Sequence, residues 1–134
     1  MNQTEFDKVK AHPFHHYLGI KEIDAADEKA RIVIPVQEKT LNPSGTFHGG
    51  VVYTLCDITA FCALISTMDE GEIGVTNNIS IQMLRAARVG QEVIFQAKII
   101  KRGKRLAFLE CTAMVGDKII AKASVTKTLI VLNE

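Results

Sequence analysis

No tryptophan occurs in this chain of 134 residues, and aromatic side chains of every kind make up only 6%. Aliphatic residues must therefore build the core. They are numerous enough: 47% of residues are hydrophobic, which supports a sizeable interior in one domain spanning 1–134. Excess charge is lacking too. There are 16 Lys+Arg against 15 Asp+Glu, a formal net charge of +1. That balance argues against nucleic acid or an acidic membrane as the main partner, because both call for a concentrated positive surface. The opening stretch MNQTEFDKVKAHPFHHYLG has no apolar run of the kind a secretory leader carries. Cys56, Cys62 and Cys111 are odd in number and lack CxxC spacing. They read as free thiols, buried as small hydrophobes in a reducing cytoplasm. No repeat, low-complexity run or linker is visible.

What the chain does have is one long apolar stretch, Gly49 to Thr67, GGVVYTLCDITAFCALIST. Its only ionisable group, apart from weakly acidic Cys and Tyr side chains, is Asp57. The length approaches that of a membrane span. Asp57 would then lie at the bilayer centre, at a cost of roughly 2.5–3.5 kcal/mol, and no basic flank anchors the segment. A buried helix fits better. A carboxylate in such a helix either finds a partner, shifts its titration or does chemistry. Immediately upstream, Asn42-Pro43-Ser44-Gly45-Thr46-Phe47-His48-Gly49-Gly50 forms a polar, glycine-rich entry.

Around the helix the pattern predicts the following elements. Residues 4–10 make one or two helical turns that stop near Pro13, and 12–16 are irregular. Strands follow over 18–24 and 29–36, then a loop over 37–47. After the polar break at 68–72 the apolar period changes from 3.6 to 2, with strands over 74–83, 92–100, 106–115 and 118–132. Arg102-Gly103-Lys104 and Gly116-Asp117 are hairpin turns. Two strands, a helix roughly 30 Å long and four further strands imply an α+β fold in which a curved antiparallel sheet of about six strands wraps one long central helix. Such a sheet leaves part of the helix and both sheet edges open, which a dimer would close.

These residues resemble the hotdog-fold thioesterases, in particular the phenylacetate-pathway subgroup. The resemblance rests on Asn42-x-x-Gly45-x-x-His48-Gly49-Gly50, on an aspartate nine residues after the histidine, and on Lys101-Arg102-Gly103-Lys104-Arg105-Leu106-Ala107-Phe108. It implies hydrolysis of an acyl-CoA thioester, with no cofactor or metal, by a homodimer or dimer of dimers with active sites at the subunit interface. By position, Asp57 matches the catalytic carboxylate, as general base or nucleophile. Gly49 matches the residue whose backbone N–H polarises the thioester carbonyl. Asn42 and His48 match polar groups that position water and support the site. Thr76 stands where the subgroup commonly has a serine hydroxyl that helps hold the attacking water. Asp57 and Thr76 would come from one subunit, and Asn42, His48 and Gly49 from its partner.

Elementary chemistry agrees. Thioester hydrolysis needs a base or nucleophile, an oxyanion donor and an oriented water. Free N–H groups at a helix N-terminus suit a developing oxyanion, and Gly49 and Gly50 let a substrate carbonyl approach closely. Asp57 lies roughly 12 Å of helical rise beyond Gly49, too far for cooperation within one chain.

Blander roles stand beside these. Asp57 could be a buried carboxylate satisfied by Ser/Thr or backbone donors, and His48 a structural residue bonding a loop carbonyl. Gly49-Gly50 could serve helix–sheet packing, Asn42 a turn with Pro43, and Thr76 ordinary strand packing. Lys101, Arg102, Lys104 and Arg105, with Lys98 nearby, are either a solvated turn or a clamp on CoA phosphates. Lys127 or Arg85 could add to such a clamp. His12, His15 and His16 lack acidic or Cys partners for a metal. Two other functions compete: a hotdog dehydratase or hydratase, whose H-x-x-x-x-G-type pattern is not found, and a non-catalytic acyl-CoA-binding hotdog module.

Overall fold

The computed structural model of the protein describes residues 1–132. Two short helices, α1 (Gln3–Ala11) and α2 (Pro13–Leu18), precede strands β1 (Glu22–Ala26) and β2 (Lys29–Pro35). A 3-10 turn over Glu38–Thr40 leads to the long helix α3 (Gly49–Ile65). Strands β3 (Glu72–Met83), β4 (Glu92–Arg102), β5 (Leu106–Val115) and β6 (Lys118–Val131) follow. All six strands form one antiparallel sheet in the order β1-β2-β4-β5-β6-β3. The sheet curves around α3, which packs against every strand. This is the α+β hotdog arrangement that the sequence predicts.

The reason lies in α3. Leu55, Cys56, Ala60, Cys62, Ala63, Leu64 and Ile65 are completely buried, so the helix needs apolar cover on most sides. The inward positions of the sheet supply it, with Ile32, Ile34, Val93, Phe95, Ala107, Leu109, Ala123 and Val125 in one continuous core. Truncating a fully buried Leu or Ile to Ala in such a setting costs about 2–5 kcal/mol. One stripe of α3 stays uncovered. Gly50, Tyr53, Thr54, Asp57 and Phe61 recur at helical spacing and are partly or fully exposed.

The N-terminal region departs from the sequence reading. Pro13 ends α1 as expected, but 13–18 are helical rather than irregular. His12 caps α2 by accepting the Phe14 N–H through Nδ1 at 3.2 Å. Pro13 occupies the first turn, where its missing N–H is no loss. Gly19, at φ +87, then ends α2, so β1 starts at Glu22 rather than Leu18. Asn2 fixes α1 in place. It is buried, caps the helix at Glu5 N–H, and donates to the Asp69 and Glu72 carbonyls at 2.9 and 3.0 Å.

Candidate active site

Asp57 lies on the uncovered stripe of α3, with its side chain 40% exposed. Below it, β6 presents Ala121, Ala123, Val125, Lys127 and Leu129 inward, all buried. Lys127 is the charged member of that row and meets Asp57. Its Nζ donates to Asp57 Oδ1 at 2.7 Å and to Thr76 Oγ1 at 2.6 Å. Thr76 in turn donates its hydroxyl to Asp57 Oδ1 at 2.6 Å. Thr76 stands directly opposite Lys127 in the β3–β6 register, and Asn77 is an extra residue, a β-bulge, immediately after it. The bulge accounts for the unusually polar Asn77-Asn78 pair, since Asn78 opposes the outward-facing Thr126 and Asn77 opposes nothing.

Electrostatics here follow from burial and charge. Burial pulls the Lys127 ammonium below its ordinary range, and the charge and hydrogen bond of Asp57 act against that shift. The Phe61 ring adds a weaker attraction, with its centroid 5.3 Å from Nζ. Burial pushes the nearby Cys62 thiol up to about 12, so it stays neutral beside the lysine. Cys56, Cys62 and Cys111 are all buried free thiols.

Asp57, Thr76 and Lys127 face a cavity of about 390 Å³. Val9, Ile58 and Phe61 give it apolar walls, while Glu5, Lys8, His12 and His15 bring α1 and α2 over it. A larger cavity of about 870 Å³ lies along β1, β2, β4 and β5 and shares no residue with this one. The three histidines of the N-terminal region are engaged with backbone: His12 caps α2, His15 Nδ1 contacts the Val9 carbonyl at 2.8 Å, and His16 Nε2 contacts the Lys10 carbonyl at 2.7 Å. Among the described residues no group of three His, Cys, Asp or Glu is placed to hold a metal ion, and no helix is long and apolar enough to cross a membrane.

The other expected residues gather at the opposite end of the helix stripe. Asn42 Oδ1 accepts from the Ser44 and Thr46 N–H groups at 3.0 Å each, and its Nδ2 donates to Thr46 Oγ1 at 2.8 Å. Asn42 therefore closes the loop that delivers His48. That histidine is the N-cap of α3, with Nδ1 accepting the Gly50 N–H at 2.8 Å, so the ring proton is assigned to Nε2. The Val51 and Val52 N–H groups reach the His48 carbonyl. Among the described residues, the Gly49 N–H meets no acceptor. Gly50 has a steric reason to be glycine, since a Cβ there would lie 3.0 Å from His48 Nδ1.

The basic hairpin divides. Lys101, Lys104 and Arg105 are exposed. Arg102 turns inward, pairing with Glu72 at 3.2 Å and donating to Thr67 Oγ1 at 3.3 Å, and so ties the hairpin to the end of α3. Gly103 is required by the turn, because a Cβ would meet the Leu106 carbonyl oxygen at 2.9 Å. Lys127 is not a further cation of this clamp. Although its backbone lies opposite Ala107, close to the hairpin, its side chain faces inward and pairs with Asp57. Its signal in the sequence is a lone lysine on the apolar parity of β6.

An α+β hotdog with a helix-borne carboxylate at a cavity and a glycine-rich helix start capped by His48 is the arrangement that the resemblance to thioesterases implies. Residues 44–118 match the family model of the thioesterase superfamily, and the chain belongs to that superfamily. It is 35% identical over 124 residues to human acyl-coenzyme A thioesterase 13, covering 90% of this chain and 88% of that protein. The mouse protein of the same name is 37% identical over 109 residues, covering 80% and 77%. Among solved structures, a thioesterase from Haemophilus influenzae superposes with a TM-score of 0.87 at 25% identity, covering 100% of this chain and 94% of that one.

Proposed function

We propose that the protein, acting as one thioesterase domain over 1–134, hydrolyses acyl-CoA thioesters to the free acid and CoA. The observation that carries this reading is the half-exposed Asp57 carboxylate, held by Thr76 and buried Lys127 at a cavity on the open stripe of α3. Likeness to acyl-coenzyme A thioesterase 13 along nine-tenths of the chain supports CoA as the thiol.

In the proposed reaction the Gly49 N–H, at the positive end of the α3 dipole, polarises the thioester carbonyl and receives the developing oxyanion. As general base, Asp57 takes a proton from water while the water oxygen bonds to the carbonyl carbon. The tetrahedral intermediate then collapses, the C–S bond breaks, and the proton returns to the CoA thiolate. As nucleophile, Asp57 would instead displace CoA directly and form an anhydride that water opens. Asn42 and His48 serve either route by holding the loop and cap that present Gly49.

Asp57 and Gly49 sit eight residues apart on one helix, roughly 12 Å in rise. We therefore assign Asp57, Thr76 and Lys127 to one subunit of a homodimer and Asn42, His48 and Gly49 to its partner, with the uncovered stripes facing each other. Exposed Lys101, Lys104 and Arg105 provide the cations for the CoA phosphates, while Arg102 holds their hairpin in place.

The test is thiol release from a panel of short, long and aromatic acyl-CoAs by wild type and Asp57→Asn. Turnover by wild type and a loss of at least about 10² in kcat in the variant are expected for removal of an acid–base group. Binding of CoA thioesters without turnover of any panel member would instead identify a non-catalytic binding module.

A further inference from the structure

We propose that Lys127 is a positioning residue for Asp57: it occupies Oδ1 and fixes the direction of the Thr76 hydroxyl, which leaves Asp57 Oδ2 as the oxygen that acts on water or substrate. This inference rests on the thioesterase reading above.

Lys127 is 2% exposed, between buried Val125 and Leu129 on the inward row of β6. An ammonium in that place is costly unless paired. An apolar side chain would continue the row without that cost, so packing alone does not explain a lysine there.

The hydrogen-bond directions are determined by valence. Lysine only donates. Thr76 Oγ1 accepts from Lys127 Nζ at 2.6 Å, and its single proton goes to Asp57 Oδ1 at 2.6 Å. That proton is unavailable to a water molecule. Thr76 is thus a strut between Lys127 and Asp57 rather than the donor that orients water. Oδ1 receives two donors, one of them charged. Among the described residues no hydrogen bond reaches Oδ2. The pair is also one-sided, with the Lys127 side chain 3% exposed against 40% for Asp57. The tethered oxygen therefore points into the sheet and the free one toward the open stripe.

The experiment is a double-mutant cycle between Lys127→Met and Asp57→Asn, read as kcat and KM separately. Lys127→Met is expected to lower kcat about 10- to 100-fold while KM stays within about threefold, the pattern of an interaction made at the reacting group. In the Asp57→Asn background the same change is expected to cause no further loss, because Lys127 acts only through that carboxylate. Equal losses in both backgrounds would show a general structural role and overturn the proposal. Wild-type kcat in Lys127→Met beside an inactive Asp57→Asn would overturn it too, with the thioesterase reading intact. A fully active Asp57→Asn would take Asp57 out of the mechanism and overturn the proposal as well, whereas turnover of no acyl-CoA by wild type would overturn the thioesterase reading itself. Should Lys127→Met fail to fold, Thr76→Val decides. It breaks the strut but keeps the ion pair, and a several-fold fall in kcat at constant KM, recovered in Thr76→Ser, is expected. Unchanged kcat in Thr76→Val would overturn the proposal.

Discussion

His48 Nδ1 accepts the Gly50 N–H at 2.8 Å, which leaves Gly49 with the first-turn N–H that meets no acceptor among the described residues. The histidine thus decides which backbone donor of α3 is free. His48→Ala is expected to cost about 1 kcal/mol, the usual value of a lost N-cap. His48→Asn, which keeps a capping acceptor, is expected to restore that stability and most of kcat. Urea titration and steady-state rates on the two variants check this; low kcat in both, with stability recovered in Asn, would give the imidazole itself a chemical role.

The hairpin cations separate by function. Replacing Lys101, Lys104 and Arg105 by Gln is expected to raise KM several-fold for a CoA thioester and to leave KM for a short thioester without the nucleotide unchanged. Arg102→Gln is expected to behave differently. It removes charge-assisted hydrogen bonds to Glu72 and Thr67, at about 1–3 kcal/mol, and shifts the urea midpoint more than KM. Equal KM effects on both substrates would leave only a solvated turn.

Mild acid is expected to loosen the N-terminal helices. Burial holds the His15 imidazole below 6.5, with the Val9 carbonyl opposing and His12 and His16 adding to the shift. Between that lowered value and 6.5 the folded chain binds fewer protons than the unfolded one. Stability from this site is therefore full above 6.5 and falls as pH drops through the folded-state value. Amide protection in α1 and α2, taken relative to the intrinsic exchange rate at each pH, should fall between pH 7 and pH 5, and His15→Gln should abolish the fall. Identical protection in wild type and variant would contradict it.

The uncovered stripe of α3 predicts assembly. In size-exclusion chromatography with light scattering the active species is expected to be a dimer or tetramer. A stable monomer with full kcat would contradict a site shared between two subunits.

Much of this was readable from residues alone because the signals are local. The apolar run after His48-Gly49-Gly50, the change of period after residue 72, and the turns at Gly103 and Gly116-Asp117 each announce themselves within a few positions. α2 was hidden because Pro13 has two meanings, helix stop and helix start, and only the His12 cap distinguishes them. The pairing of β3 with β6 at the sheet edge, and of Lys127 with Asp57 across 70 positions, are long-range facts with no local marker. Arg102 looked like its basic neighbours because sequence does not show which member of a charged turn faces the core.

Within β3 a one-residue deletion would ordinarily turn every later side chain to the wrong face. At Asn77 it would not. Thr76 opposes Lys127, Asn78 opposes Thr126 and Ile79 opposes Val125, with Asn77 outside the count. A chain shortened by that one codon keeps Thr76, Ile79 and Ile81 on the helix side and loses the local twist and the exposed hydrogen bond from Asn77 to Thr128. This strand therefore has one place where length can change without changing its inward residues, and that place adjoins the hydroxyl bonded to Asp57. Gain or loss of a residue there is a route by which relatives could re-aim the site while their cores stay alike.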